Sequence, residues 1–136
     1  MAINYWLLKT EPETFSFDDL VKKKVEHWDG VRNYQARNNL SSMQPKDLCL
    51  IYHSVSEKSV VGIAEVVSHA YPDPTTEDKR WVCVDIKAIK KLKNPITLEV
   101  IKNTQELMHL PLVKHSRLSV MPIDSASFEI ICKMGL

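Results

Sequence analysis

Five aromatic side chains, Tyr5, Trp6, Trp28, Tyr34 and Tyr52, fall in the first 52 residues of this 136-residue chain, close to Lys9, Arg32, Asn33, His53 and Ser54. Rings beside polar and cationic groups can hold a planar ligand. A nucleobase stacked on an aromatic ring gains about 1–3 kcal/mol and needs no basic surface to do so. Core packing explains any one of these rings better when it is taken alone. The run WDGVRNYQARN at residues 28–38 shifts that balance, because a surface helix has little use for a Trp-Asp-Gly entry followed by Arg-Asn.

Other chemistry finds less support. The five histidines (His27, His53, His69, His109, His115) form no HxH or HExxH pair and no serine sits in a GxSxG elbow, so neither a metal site nor an esterase-type site is expected. Three glycines cannot supply a Rossmann fingerprint or a phosphate loop, and no cofactor is expected. Cys49 and His53 are the only near nucleophile–base pair. On a strand they share a face but stand about 13 Å apart, too far to hydrogen bond. Cys49, Cys83 and Cys132 each lie inside an apolar stretch without a CxxC partner, and read as small buried hydrophobes of a reducing compartment.

Charge bounds the mode of any nucleic-acid binding. Eighteen Lys and Arg against 17 Asp and Glu leave +1, which excludes a protein that holds nucleic acid by phosphate neutralisation alone. The charge is uneven, however: residues 87–117 carry seven basic side chains (Lys87, Lys90, Lys91, Lys93, Lys102, Lys114, Arg117) against Glu99 and Glu106, or +5. That segment reads equally well as a phosphate-contacting face or as lysines solubilising an edge strand. The opening MAINYWLLKTEPE lacks the basic start, apolar core and cleavage site of a secretory signal, and no apolar run approaches the roughly 20 residues of a membrane helix. A soluble, cytoplasmic, monomeric protein is expected.

Positioning these groups requires one domain, since the length is too short for two ordinary cores. Residues 4–9 read as a strand stopped by Glu11-Pro12, and Ser16 with Asp19 as a capping box for a helix over residues 17–24. A second helix is expected within residues 32–42. Strands follow at residues 48–53 and 60–67, then a proline-rich loop at residues 72–75. The clearest strand is at residues 81–92, where Val82, Val84, Ile86 and Ala88 alternate with Trp81, Cys83, Asp85 and Lys87. One or two short helices between residues 95 and 112 have Thr97 as N-cap, a short strand at residues 117–123 ends at Pro122, and a last helix spans residues 125–134. About five strands with interspersed helices imply an α+β domain around a small mixed barrel or strongly bent sheet.

In order along the chain come YWLLKTEP, W-x-GVRNYQARN, LIYHS, VGIAEV, Asp73-Pro74 and RLSVMPI. This succession resembles the EVE domain family, from Tyr5 to about Ile131, and so makes residues 1–136 a single domain. The resemblance implies a PUA-like fold, a small mixed β-barrel flanked by helices, and a non-catalytic nucleic-acid-binding module. Members look like readers of modified bases, with a flipped or unpaired base entering a pocket; DNA-oriented members are associated with modified cytosines. Carried over by motif, the base pocket would comprise Trp6, Trp28, Val31, Asn33, Tyr52, His53, Ser54, Leu118 and Ser119, and the sugar-phosphate contacts Lys9, Arg32 and Arg117. Within that set, Trp28 or Trp6 would stack and Asn33 and Ser54 would meet the base edge. The alternative is a PUA-type RNA-binding accessory domain that recognises shape and backbone without a modified base. The chain departs from the family at Phe128, where a tryptophan is common, and in lacking a basic tail.

Overall fold

A computed structural model describes residues 3–115 and 117–136. Its centre is made of strands covered on both faces. β1 (Tyr5–Thr10) runs parallel to β3 (Leu48–His53) on one side and antiparallel to β7 (Val120–Ile123) on the other. Leu7, Leu8, Leu50, Ile51 and Val120 are all at or below 1% exposure, which explains why YWLL and LCLIY read as continuous apolar runs rather than as alternation. β4 (Ser59–Val66) pairs antiparallel with β3 and passes the sheet on to β6 (Val82–Thr97), the longest strand. At Gly62 the Phe17 ring lies where a Cβ would stand, so the close approach of α1 to the sheet requires glycine there.

Two strands escape the sequence reading. β2 (Val25–Trp28) and the two-residue β5 (Tyr71–Pro72) both pair with β6, giving seven strands in the order β2-β6-β4-β3-β1-β7 with β5 beside β6. β2 is short and its sequence, VEHW, carries no alternation long enough to detect. The expectation of a barrel is corrected here: the hydrogen-bonded path is open, ending at β2 and β7, with no ladder between them among the described residues. The sheet is mixed, and register shifts in the β3–β4 and β4–β6 ladders interrupt its regular pairing. β7 also continues through Pro122 rather than ending there. As an edge strand it uses only one side for pairing, so the missing donor is tolerated.

Helices form where their caps say they should. α1 (Phe17–Lys23) has a complete capping box: the Asp19 N–H donates to Ser16 Oγ at 3.1 Å and the Ser16 N–H to Asp19 Oδ2 at 2.9 Å. α2 (Tyr34–Ser42) is capped by Asn33, whose Oδ1 accepts from the Ala36 N–H at 2.9 Å; a cap of this kind contributes about 1 kcal/mol. Thr97 caps α3 (Leu98–Lys102), which the Asn103-Thr104 interruption separates from a 3-10 turn at Gln105–Leu107 and from α4 (Pro111–Lys114). α5 (Ser125–Gly135) lays Phe128 and Ile131 against the sheet, and Phe128 meets Tyr5 with ring centroids 4.5 Å apart.

Candidate functional site

β2 ends at Trp28, and the chain then turns through Asp29 and Gly30 into α2. The turn is pinned from outside. Gly30 has a φ of +76°, a conformation that favours glycine, and its N–H donates to Asp73 Oδ2 at 2.8 Å. Arg32 donates to the same oxygen at 3.0 Å and to Thr75 Oγ1 at 3.0 Å, and its guanidinium lies 5.6 Å from the centre of the Trp81 ring. Thr75 closes the network by donating its N–H and hydroxyl to Asp73 Oδ1. The Asp73 side chain is fully buried. Burial alone would push its carboxyl up, but the hydrogen bonds from Thr75, Gly30 and Arg32 outweigh it and hold the group down at about 2. This is the role of the Asp73-Pro74 motif, whose function the sequence did not reveal.

The pinned turn forms one wall of a cavity of about 520 Å³, lined by Lys9, Thr10, Thr14, Phe15, Glu26, His27, Trp28, Asp29, Gly30, Val31, Arg32 and Ser119. That volume falls within the range of about 300–1,000 Å³ typical of small-ligand sites. The opposite wall comes from the end of β1, the loop after it and the residue before β7. The cavity therefore lies between β2, at one end of the open ladder, and the residue that leads into β7, at the other. Phe15 and Trp28 pack edge to face, with centroids 6.2 Å apart. Trp28 is only 8% exposed, yet its indole N–H has no protein partner among the described residues and is not a sealed-off polar atom; it opens to solvent.

Charge in the cavity is mixed. Glu26 is engaged, accepting from Lys23 Nζ at 3.0 Å and from the His27 N–H at 2.9 Å. His27 Nδ1 stands 2.6 Å from Asp85 Oδ1 and 2.9 Å from the Tyr71 hydroxyl; its hydrogen bond to Asp85, and then that carboxylate's charge, raise the imidazole's pKa. Burial lowers the pKa of Lys9, which approaches the Tyr52 ring at 5.8 Å. The Asp29 carboxyl is raised, by burial first and then by the nearby Asp73 and Glu26.

Of the residues the sequence singled out, Lys9, Trp28, Val31, Arg32 and Ser119 come together in this cavity. Asn33, Arg117 and Leu118 line an adjoining one of about 350 Å³ with Gln35, Lys114 and His115. The two are neighbours because residues 31–33 and 117–119 pass from one to the other. Four residues lie elsewhere. Trp6 is 5% exposed and donates its indole N–H to Asp47 Oδ2 at 3.0 Å, bordering a different cavity beside α5. Tyr52 is 3% exposed and packs in the core. His53 Nε2 accepts from the Phe17 N–H at 3.0 Å, leaving Nδ1 to donate to Glu57 at 2.9 Å. Ser54 donates to the Thr10 carbonyl at 3.3 Å. Asn33 likewise has its side-chain oxygen engaged in the α2 cap.

The basic segment is also divided by the fold. Lys87, Lys90 and Lys91 border one cavity together with Asp18, which pairs with Lys91 at 2.9 Å; Lys102 borders another, and Lys114 and Arg117 a third. These basic residues therefore share no single cavity among those described. The residues missed by sequence reasoning are Thr10, Thr14, Phe15, Glu26, His27, Asp29 and Gly30. Asp29 and Gly30 stood inside a quoted motif, but nothing in their types distinguished a turn from a wall.

The features define a class: a mixed α/β domain whose curled sheet leaves an aromatic, polar cavity at its open seam. The chain belongs to the EVE domain family, whose model matches residues 4–134. It is 34% identical to mouse thymocyte nuclear protein 1, with 96% of this chain and 73% of that protein aligned. Among solved structures, a Rhodopseudomonas palustris protein is 45% identical with a TM-score of 0.93, covering 98% of this chain and 93% of its own. Human THYN1 in complex with 5-methylcytosine-containing DNA is 30% identical with a TM-score of 0.90, covering 97% of both chains. An ASCH protein from Zymomonas mobilis, 12% identical with a TM-score of 0.61 and covering 98% of this chain and 96% of its own, shares the fold alone.

Proposed function

We propose that this chain is a non-catalytic nucleic-acid-binding module that takes a flipped or unpaired base, a modified cytosine in DNA being favoured, into the cavity beside Trp28. One observation carries the reading: the cavity joins an aromatic wall to unsatisfied polar groups, on a fold shared with a relative whose structure holds 5-methylcytosine DNA. Extruding a base costs a few kcal/mol, less where it is already unpaired, and stacking with hydrogen bonds in the cavity offsets it. Trp28 and Phe15 provide the apolar surface, Ser119 and the Trp28 N–H offer polar contacts, and Lys9 carries positive charge at the wall. Arg32 acts mainly by holding the turn, since its guanidinium is already bound to Asp73 and Thr75. Lys114 and Arg117 in the adjoining cavity are placed for the flanking phosphates; neither forms an ion pair among the described residues.

The test is a titration with oligonucleotides differing in one base, repeated across salt concentrations. Tighter binding to the modified strand, with a shallow salt slope, is the expected result. Equal affinity for modified and plain strands would sink the reading. The basic cavity at Lys114 and Arg117 favours the second reading, an RNA-binding domain that recognises backbone and shape, for which the salt slope is steeper and modification makes no difference.

A further inference from the structure

Three carboxylates stand at the turn that walls the cavity, and two of them are already committed. Both oxygens of Glu26 accept hydrogen bonds, one from Lys23 and one from the His27 N–H. Both oxygens of Asp73 are held by Gly30, Arg32 and Thr75. Asp29 differs: it lines the cavity from an exposed position, and among the described residues only its own backbone N–H donates to its carboxylate, which leaves acceptor capacity open. Its backbone is nonetheless held firmly. Its own N–H donates to the His27 carbonyl at 3.0 Å, the preceding Trp28 is buried, and the following Gly30 is tied to Asp73. A free acceptor on a fixed backbone, beside the open N–H of Trp28, is the arrangement of a ligand contact.

From this geometry we infer that the Asp29 carboxylate accepts from the exocyclic amino group of the bound base, restricting the cavity to cytosine and its 5-substituted forms over thymine and uracil. The inference rests on the base-binding reading above and adds the residue that decides between bases. Cytosine presents an N4 amino donor where thymine presents an O4 acceptor, and acidic side chains read cytosine through that amino group. Against thymine the carboxylate would face a second acceptor, leaving both unpaired, which is the condition under which a polar site discriminates most strongly. His27 acts on Asp29 only through its charge, since its ring is bonded to Asp85, so no described cation hydrogen-bonds the Asp29 carboxylate and its acceptor capacity is available to a ligand. An asparagine in its place can turn either its oxygen or its amide toward the base, and so accepts both.

The experiment compares single-stranded oligonucleotides identical except for one 5-methylcytosine or thymine, which share the 5-methyl group and differ in the edge that Asp29 would read. Wild-type protein is expected to prefer 5-methylcytosine by about tenfold or more, the effect of a charge-assisted hydrogen bond. Asp29→Asn is expected to bring the two affinities within about threefold while its melting temperature stays unchanged, since the Asp29 side chain is hydrogen-bonded to no other described residue. A variant that keeps the wild-type ratio overturns the role of Asp29 and leaves base binding standing. Wild-type protein that binds both equally overturns the role of Asp29 and leaves base binding to the modified-against-plain titration, whereas wild-type protein that binds neither strand overturns the base-binding reading and this inference with it.

Discussion

Trp6 and Trp28 are alike on paper: each ends up nearly buried on a strand, each stands near an aspartate, and each belongs to a motif that pointed to a base pocket. The fold uses them differently. Trp6 lies on β1, second from one end of the ladder, and its indole N–H is bound to Asp47, itself 2% exposed. Asp47 also accepts from the Asn4 and Gln44 N–H groups, so it ties the start of β1 to the turn before β3 and nothing is left over for a ligand. Trp28 lies on β2, the other end of the ladder, where one side of the strand has no partner. There the carboxylate that organises the turn, Asp73, leaves a second one, Asp29, unengaged, along with the indole N–H. A buried polar group with its full set of partners is structure, and one with an open valence beside a cavity is a candidate contact.

The contrast breaks most sharply at Asp47. Asp47→Ala leaves three donors without their acceptor and is expected to cost about 3 kcal/mol or more of stability. Chemical denaturation would show this as a lower midpoint, while nucleic-acid affinity of the folded fraction holds. If affinity fell instead and stability did not, the division between the two tryptophan regions would be wrong.

Asp73→Asn tests the other carboxylate through pH. Its carboxyl falls from an ordinary 3.8 to about 2 in the folded protein, so ionised Asp73 stabilises the fold above the unfolded value and that stabilisation fades as pH drops toward 2. The shift corresponds to about 2 kcal/mol near neutrality. Denaturation curves between pH 7 and pH 2 should show the wild-type advantage over Asp73→Asn shrinking across the acid limb; a constant difference would mean that the ionised form is not what the network favours.

Trp28→Ala is expected to lower affinity for a base-containing oligonucleotide by about 1.5 kcal/mol, roughly tenfold. Trp6→Phe, which removes the bond to Asp47 and part of the buried ring, should leave affinity within about twofold and lower the melting temperature. Reversed outcomes in fluorescence titration would return Trp6 to the binding site. The smallest effect belongs to Lys91→Ala: its pair with Asp18 is exposed on both sides and contributes less than about 0.5 kcal/mol. A large loss of RNA affinity in this variant would favour backbone recognition along β6 over the cavity beside Trp28.

Much of the frame was legible because its signals are local. The Ser16–Asp19 capping box, the Thr97 cap and the apolar runs of β1, β3 and β4 act through neighbours in sequence. β2 was missed because four residues with polar members carry no period, and the open ladder was missed because closure depends on whether β2 and β7 meet. The candidate site was half legible. Trp28, Val31 and Arg32 share one turn and were found as a block, whereas Phe15 and Ser119 reach the cavity only through folding, and Tyr52 and His53 were drawn away into the core and the α1 cap.

By itself, the sequence determined the family, the positions of most helices and strands, and a net charge of +1 that rules out binding by phosphate neutralisation alone. The tertiary structure decided which polar groups remain unsatisfied. Whether a tryptophan or an aspartate meets a ligand depends on partners tens of residues away: Asp47 across from Trp6, Asp73 across from Gly30 and Arg32. Hydrogen-bond capacity is finite, and the fold alone settles where it is used and where it is left for a ligand.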